Sequence, residues 1–195
     1  MASGGRQTLL ELVEPSLACL PGYTAALERG WSPNNVRDVS GEQLAAIRTD
    51  AAAFIASLLS QTGTVKLPDG TEIPKLPSRV RWMWDGAFCG QVGLRWQPGT
   101  DELPGHVLGH IGYAVVPWKR RRGYATEALR QMLVTAREVG LRSLEITTDR
   151  GNVASCKVIE ANGGSFVEEF VHPQYGDDVR LRFRVNLQAE DGGNA

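Results

Sequence analysis

Apolar positions recur along this chain with two periods, and the change from one to the other marks out its elements. Ala125, Ala128, Leu129, Met132, Leu133 and Ala136 return at three- and four-residue spacing, the stripe of a helix with one buried face. Gly140 supplies its stop. Leu44, Ile47, Ala51, Phe54, Ile55, Leu58 and Leu59 draw a second helical stripe that runs from Ser40 toward Gly63. Ser40 and Gln43 stand at capping-box spacing at its start. A shorter helix is expected with Pro21 in its first turn, Tyr23, Ala26 and Leu27 inward and Gly30 at its end.

Elsewhere the period is two. Val80, Trp82 and Trp84 alternate, Asp85 and Gly86 make a hairpin turn, and residues 87–96 return as the partner strand. Over residues 143–148, Leu144 and Ile146 share one face of a strand, and Glu145 and Thr147 the other. A strand over 166–171 precedes a last one in which Val179, Leu181, Phe183, Val185 and Leu187 alternate. Residues 8–13 read as a short apolar strand. Residues 64–77 carry the turn signal Pro68-Asp69-Gly70 and read as a small hairpin, more a peripheral ornament than a lid. This order predicts an α/β fold of the α+β kind, a single domain with a mixed, mostly antiparallel sheet flanked by helices. Residues 1–7 and 188–195 read as frayed ends.

Composition narrows the function. With 195 residues, 42% of them hydrophobic, the chain is long enough for one substantial core. A net charge of -1 gives no overall field for nucleic acid, so anion recognition needs a local patch. Cys19, Cys89 and Cys156 are odd in number and lack CxxC or Cys/His ligand spacing, so reduced thiols are expected, with no disulfide framework and no metal site. Neither a membrane-length apolar run nor a signal-peptide core is present in the sequence. A soluble, cytoplasmic protein without membrane or nucleic-acid partners is expected, and a homodimer is compatible with the sequence.

The local patch lies in residues 110–126, HIGYAVVPWKRRRGYAT, where an apolar strand breaks at Pro117, passes three arginines and turns at Gly123 into the long helix. Helix starts expose unpaired amides and the positive end of the dipole, and a residue without Cβ lets an anion approach. The plain alternative is a solvated basic patch.

Arg120, Gly123 and Ala125 fit the pattern Gln or Arg, two residues, Gly, one residue, Gly or Ala. The segment thereby resembles the acyl-CoA-binding motif of the GNAT superfamily of N-acetyltransferases. Asn152, Val153, Ala154 and Ser155, followed by Glu160 and Gly163, resemble the family's second block. The resemblance implies a GNAT-like fold, acetyl-CoA as acyl donor, and direct transfer to a primary amine of a small molecule or peptide. It implies that backbone groups near Ala114, Val115 and Val116 serve the pantetheine arm and polarise the thioester oxygen. The amides of Arg121, Arg122, Gly123, Tyr124, Ala125 and Thr126 would cradle the pyrophosphate, with the guanidinium groups of Arg120, Arg121 and Arg122 beside it. Asn152 would bond the pantetheine arm or its neighbouring strand, or act only as a helix cap.

The chain also departs from the family. Thr147 stands where relatives that acetylate peptide N-termini often carry a glutamate, and Ile159 where many members carry a general-acid tyrosine. Glu145, on the face of Thr147, is then the expected base, with His110 or His106 as alternatives and an exposed strand glutamate as the plain reading. Ser155 resembles the serine that ribosomal-protein N-acetyltransferases place near the cofactor sulfur, and Cys156 is expected to pack. The first two helices are expected to form part of the acceptor site. Trp82, Trp84 and Trp96 are expected in packing rather than in a pocket. Arg180, Arg182 and Arg184 read as a solvated stripe that Arg79 and Arg81 extend. The missing glutamate and tyrosine leave a non-catalytic acyl-CoA-binding module as the alternative.

Overall fold

The computed structural model describes residues 10–66 and 70–188. Expectations for residues 1–9, for the tip at Pro68 and Asp69, and for 189–195 lie outside the described residues. Nine strands and five helices follow in the order β1 (Glu11–Val13), α1 (Leu20–Glu28), α2 (Ser40–Thr49), α3 (Ala51–Leu59), β2 (Thr64–Lys66), β3 (Glu72–Pro74), β4 (Ser78–Trp84), β5 (Phe88–Arg95), β6 (Ile111–Val115), α4 (Tyr124–Glu138), β7 (Ser143–Asp149), α5 (Val153–Glu160), β8 (Gly164–Val171) and β9 (Val179–Asn186) among the described residues. The α+β expectation holds, as two sheets rather than one. The first has the order β1-β4-β5-β6, the second β7-β9-β8, and β2 pairs with β3 as the separate hairpin. Every ladder among the described residues is antiparallel.

Side-chain alternation gives the first sheet two buried faces. Met83, Cys89, Val92, Leu94 and Ile111 meet the apolar stripe of α4 (Ala128, Leu129, Met132, Leu133 and Ala136) in a core that continues into Leu144, Ile146 and Phe183 of the second sheet. On the other face, Trp82, Phe88 and Val116 meet Leu20, Tyr23 and Leu27 of α1 and Phe54 and Ile55 of α3. Tyr23 stacks on Trp82 at 4.6 Å between ring centroids and meets Trp31 and Phe88 edge-on. Full burial of such side chains contributes roughly 1.5–3 kcal/mol each.

The stripe beginning at Ser40 is two helices. Asp50 leaves helical geometry at φ −157°, ψ 100°, and its carboxylate accepts from the Ala53 amide as the N-cap of α3. The capping box does not form, because Val39 occupies the cap position and Gln43 accepts instead from the hydroxyl of Tyr23. That bond ties α2 to α1 and so fixes the loop between them.

The arginine stripe on β9 is not left to solvent. Arg180 pairs with Asp149 at 2.7 Å, Arg184 with Glu145 at 2.8 Å, and Arg182 with both Glu145 and Glu168. Register explains this, since β7 and β8 set carboxylates opposite the arginines of the strand between them. Arg79 and Arg81 do not extend the stripe, for they lie on β4 in the first sheet and pair with Glu138 and Glu14.

Candidate active site

The two sheets meet at one point and part from it. At that point His110 N–H donates to the Glu145 carbonyl at 2.8 Å, and Glu145 N–H donates to Nδ1 of His110 at 3.0 Å. Gly109 is pressed into the same seam, where a Cβ would stand 3.1 Å from the Glu145 carbonyl oxygen. Beyond this apex β6 pairs with β5 and β7 with β9. The edge of β6 turned away from β5 lines a cleft of about 720 Å³, within the range of small-molecule sites.

Backbone alternation decides which β6 groups face that cleft. The Val116 amide is committed to the Cys89 carbonyl at 3.0 Å, so the groups of Tyr113 and Val115 turn the other way. Asn35 Nδ2 donates to the Tyr113 carbonyl at 3.0 Å, and Arg120 Nε to the Val115 carbonyl at 3.3 Å. Their amides point along the same edge.

Past β6, a 3-10 turn at Pro117–Lys119 leads to the arginines. Arg121 at φ 62° and Gly123 at φ 78° both take the left-handed conformation, which folds the chain tightly ahead of α4. Gly123 sits at the N-cap with no side chain to offer, so the first-turn amides of α4 are uncapped. A carboxylate braces this turn from below. Asp85, in the β4–β5 turn and with its side chain 7% exposed, accepts from Lys119 Nζ at 2.7 Å and from Tyr124 Oη at 2.6 Å. Burial raises the Asp85 carboxyl, but the bonds from Lys119 and Tyr124 outweigh it and hold the group at about 2.

The far wall comes from α5 and β7. Asn152 Oδ1 caps α5 by accepting from the Ser155 amide at 3.1 Å, so the helix-cap reading of Asn152 is filled while the residue also lines the cleft. Ser155 Oγ lies 2.8 Å from the hydroxyl of Tyr113 on β6. Burial pushes the Tyr113 phenol up to about 12, partly offset by the bond to Ser155. The loop after α1 closes the cleft with Gly30, Trp31, Ser32 and Asn35.

Of the sequence-derived site residues, Ala114, Val115, Arg120, Arg121, Gly123, Tyr124, Ala125, Thr126, Asn152 and Ser155 line this one cleft. Three stand apart among the described lining residues. Val116 is fully buried in the core beside α1, Arg122 is exposed outside the wall, and Glu145 lines a separate small cavity with His172 and Arg182. Burial would raise the Glu145 carboxyl, but Arg184 and Arg182 hold it below the usual carboxylate range. His110 is 1% exposed with its ring committed to the apex. Trp82, Trp84 and Trp96 pack in the cores. Thr147, Tyr113, Lys119, Lys157 and the loop after α1 join the wall without having been singled out as cofactor or acceptor residues. Tyr113 and Lys119 had a signal, since both lie inside the motif segment; Asn35 had none.

Solved structures with this fold include three acetyltransferases. An acetyl transferase from Salmonella typhimurium that modifies the N-terminal serine of 50S ribosomal subunit protein L7/L12 is 13% identical, with 93% of this chain and 96% of that one covered and a TM-score of 0.62. The microcin C7 self-immunity acetyltransferase MccE, in complex with acetyl-CoA and AMP, is 10% identical over 91% and 92% of the two chains, with a TM-score of 0.55. The putative acetyltransferase yncA from Salmonella typhimurium, with its cofactor acetyl-CoA, is 15% identical over 95% and 98%, with a TM-score of 0.53. No curated protein sequence matches the chain. Residues 46–165, more than half of the chain, match the family model described as an acetyltransferase (GNAT) domain, and the chain therefore belongs to the GNAT acetyltransferase family, whose members are acetyl-CoA-dependent acyltransferases.

Proposed function

We propose that the cleft holds acetyl-CoA with its pyrophosphate against the first turn of α4, and that the enzyme transfers the acetyl group directly to a primary amine entering past Trp31 and Ser32. One observation carries this reading: the uncapped amides of α4, Arg120, Arg121, the outward backbone of β6 and Ser155 all open onto the same cavity. Phosphate oxygens suit that end, where amides and guanidinium groups give charge-assisted hydrogen bonds.

When bound, acetyl-CoA supplies an activated thioester. The residues around it divide the remaining work. An amide of Tyr113 or Val115 donates to the carbonyl oxygen as negative charge develops there. The Ser155 hydroxyl donates to the departing sulfur. Glu145 is assigned to holding the second sheet rather than to acting as base, because two guanidinium groups occupy it outside the cleft. The acceptor then reaches the carbonyl already deprotonated, its proton lost to water. Three free cysteines, Cys19, Cys89 and Cys156, suit a reducing cytoplasm.

Calorimetry with acetyl-CoA on a folded Gly123→Glu variant tests the phosphate end. Affinity is expected to fall at least tenfold, and unchanged affinity would put the phosphates elsewhere. Thiol release from acetyl-CoA with a peptide α-amine, spermidine and kanamycin tests transfer. Binding without release on any of the three would overturn direct transfer to these amines.

A further inference from the structure

We propose that Tyr113 is a positioning residue for the leaving group, its phenol donating to Ser155 Oγ so that the single hydrogen of Ser155 is free to bond the coenzyme A sulfur. The proposal rests on the acetyl-CoA reading above and adds to it a side chain of the motif strand to which the family resemblance gave no role. Tyr113 Oη has two neighbours on Ser155, the hydroxyl at 2.8 Å and the carbonyl oxygen at 3.4 Å. O–H···O bonds lie between about 2.5 and 3.0 Å, so only the first contact is a good one. Were Ser155 the donor, the Tyr113 hydrogen would be left with the long contact alone. A phenol is also far more acidic than an aliphatic alcohol, which makes it the better donor of the two. The arrangement with Tyr113 giving and Ser155 receiving uses the short contact and leaves the serine hydrogen for a third partner.

The surroundings hold the pair in place. Tyr113 packs against the main core and its carbonyl is tied by Asn35, while the Ser155 amide is tied to Asn152. One member comes from β6 and the other from α5, so the bond spans the cleft between the two sheets. Ile159, where many relatives carry an acidic tyrosine, is fully buried and apolar. The phenol beside Ser155 comes instead from Tyr113 on β6, and acts through that serine.

In the transfer step the nitrogen lone pair forms the C–N bond and the C–S bond breaks with its electrons left on sulfur. The surplus proton of the attacking nitrogen ends on that sulfur, so atoms and charge balance without a further reactant. The Tyr113–Ser155 pair lowers the cost of the thiolate while it exists.

The test uses coenzyme A itself and needs no acceptor. The thiol of bound coenzyme A is titrated by its thiolate ultraviolet absorbance, as a difference against the apoprotein, in wild type, Tyr113→Phe, Ser155→Ala and the double variant. In wild type the bound thiol should ionise at lower pH than free coenzyme A. Each single variant should return it upward by about one pH unit, a tenfold change in the ionisation equilibrium. The double variant should match Ser155→Ala, because Tyr113 acts only through Ser155. Coenzyme A that fails to bind wild type would sink the acetyl-CoA reading itself. Binding with identical thiol titrations in wild type and Tyr113→Phe would sink the role of Tyr113 alone. If Tyr113→Phe does not fold, Ser155→Ala on the helix face still decides, since an unshifted thiol there leaves the pair without a function.

Discussion

Asp85 illustrates how a residue in a hairpin turn serves a site it does not line. Its carboxylate holds Lys119 and Tyr124, the residues on either side of the arginine turn. Because its folded pKa is depressed to about 2, its contribution to stability is fully present above the unfolded value near 3.9 and is lost as pH falls through 2. That shift corresponds to about 2 kcal/mol at neutral pH. Asp85→Asn should therefore lower stability in urea by about that amount at pH 7, and the two proteins should converge near pH 2. A constant difference across that range would mean the pair with Lys119 is not its source. The sequence showed Asp85 only as a turn residue, because its partners stand 34 and 39 positions away and side-chain pairing at that distance leaves no periodic trace.

Among the elements, long stripes were legible and their interruptions were not. The stripe of α4 predicted its buried face almost residue for residue, because an amphipathic helix on a sheet needs little else. The break at Asp50 was hidden, since the apolar spacing runs through it while the cap bond to Ala53 starts a new axis. Asp50→Ala should cost about 1 kcal/mol in thermal or urea unfolding, as lost caps do. The parting of β6 from β7 leaves no mark in the apolar spacing. Its physical device is the ring of His110, whose Nδ1 takes the Glu145 amide that a backbone carbonyl would otherwise take. Burial holds the His110 imidazole below its ordinary value. A depressed histidine contributes stability that is present above the unfolded value near 6.5 and lost as pH falls through the folded one. Wild type should therefore weaken below pH 6.5, while His110→Asn, with an amide oxygen able to accept the same bond, should not show that slope. Parallel stability curves for the two proteins would exclude His110 as the titrating group.

Taken as a whole, the molecule divides its charges between two faces. The second sheet uses its arginines and carboxylates on one another, whereas among the described residues the ionisable side chains lining the cleft are Lys119, Arg120, Arg121 and Lys157 with the phenols of Tyr113 and Tyr124. Cations there suit the phosphates of the donor. They do nothing to deprotonate an ammonium. The acceptor's own basicity should then govern the rate, and the size of the effect is large. At pH 7.5 an α-amine of pKa near 7.8 is about one-third free base, while an alkylamine near 10.4 is about 0.1% free, a difference of two to three hundredfold. With the turnover-competent amine from the panel, log kcat/KM should rise with unit slope and level at the acceptor's own pKa, moving when a more basic acceptor is used. Glu145→Gln should keep that profile and a rate within about twofold of wild type, since its bonds to Arg182 and Arg184 lie outside the cleft. A limb fixed near one pH for every acceptor, and erased by Glu145→Gln, would instead make Glu145 the base and require its two arginines to release it during turnover.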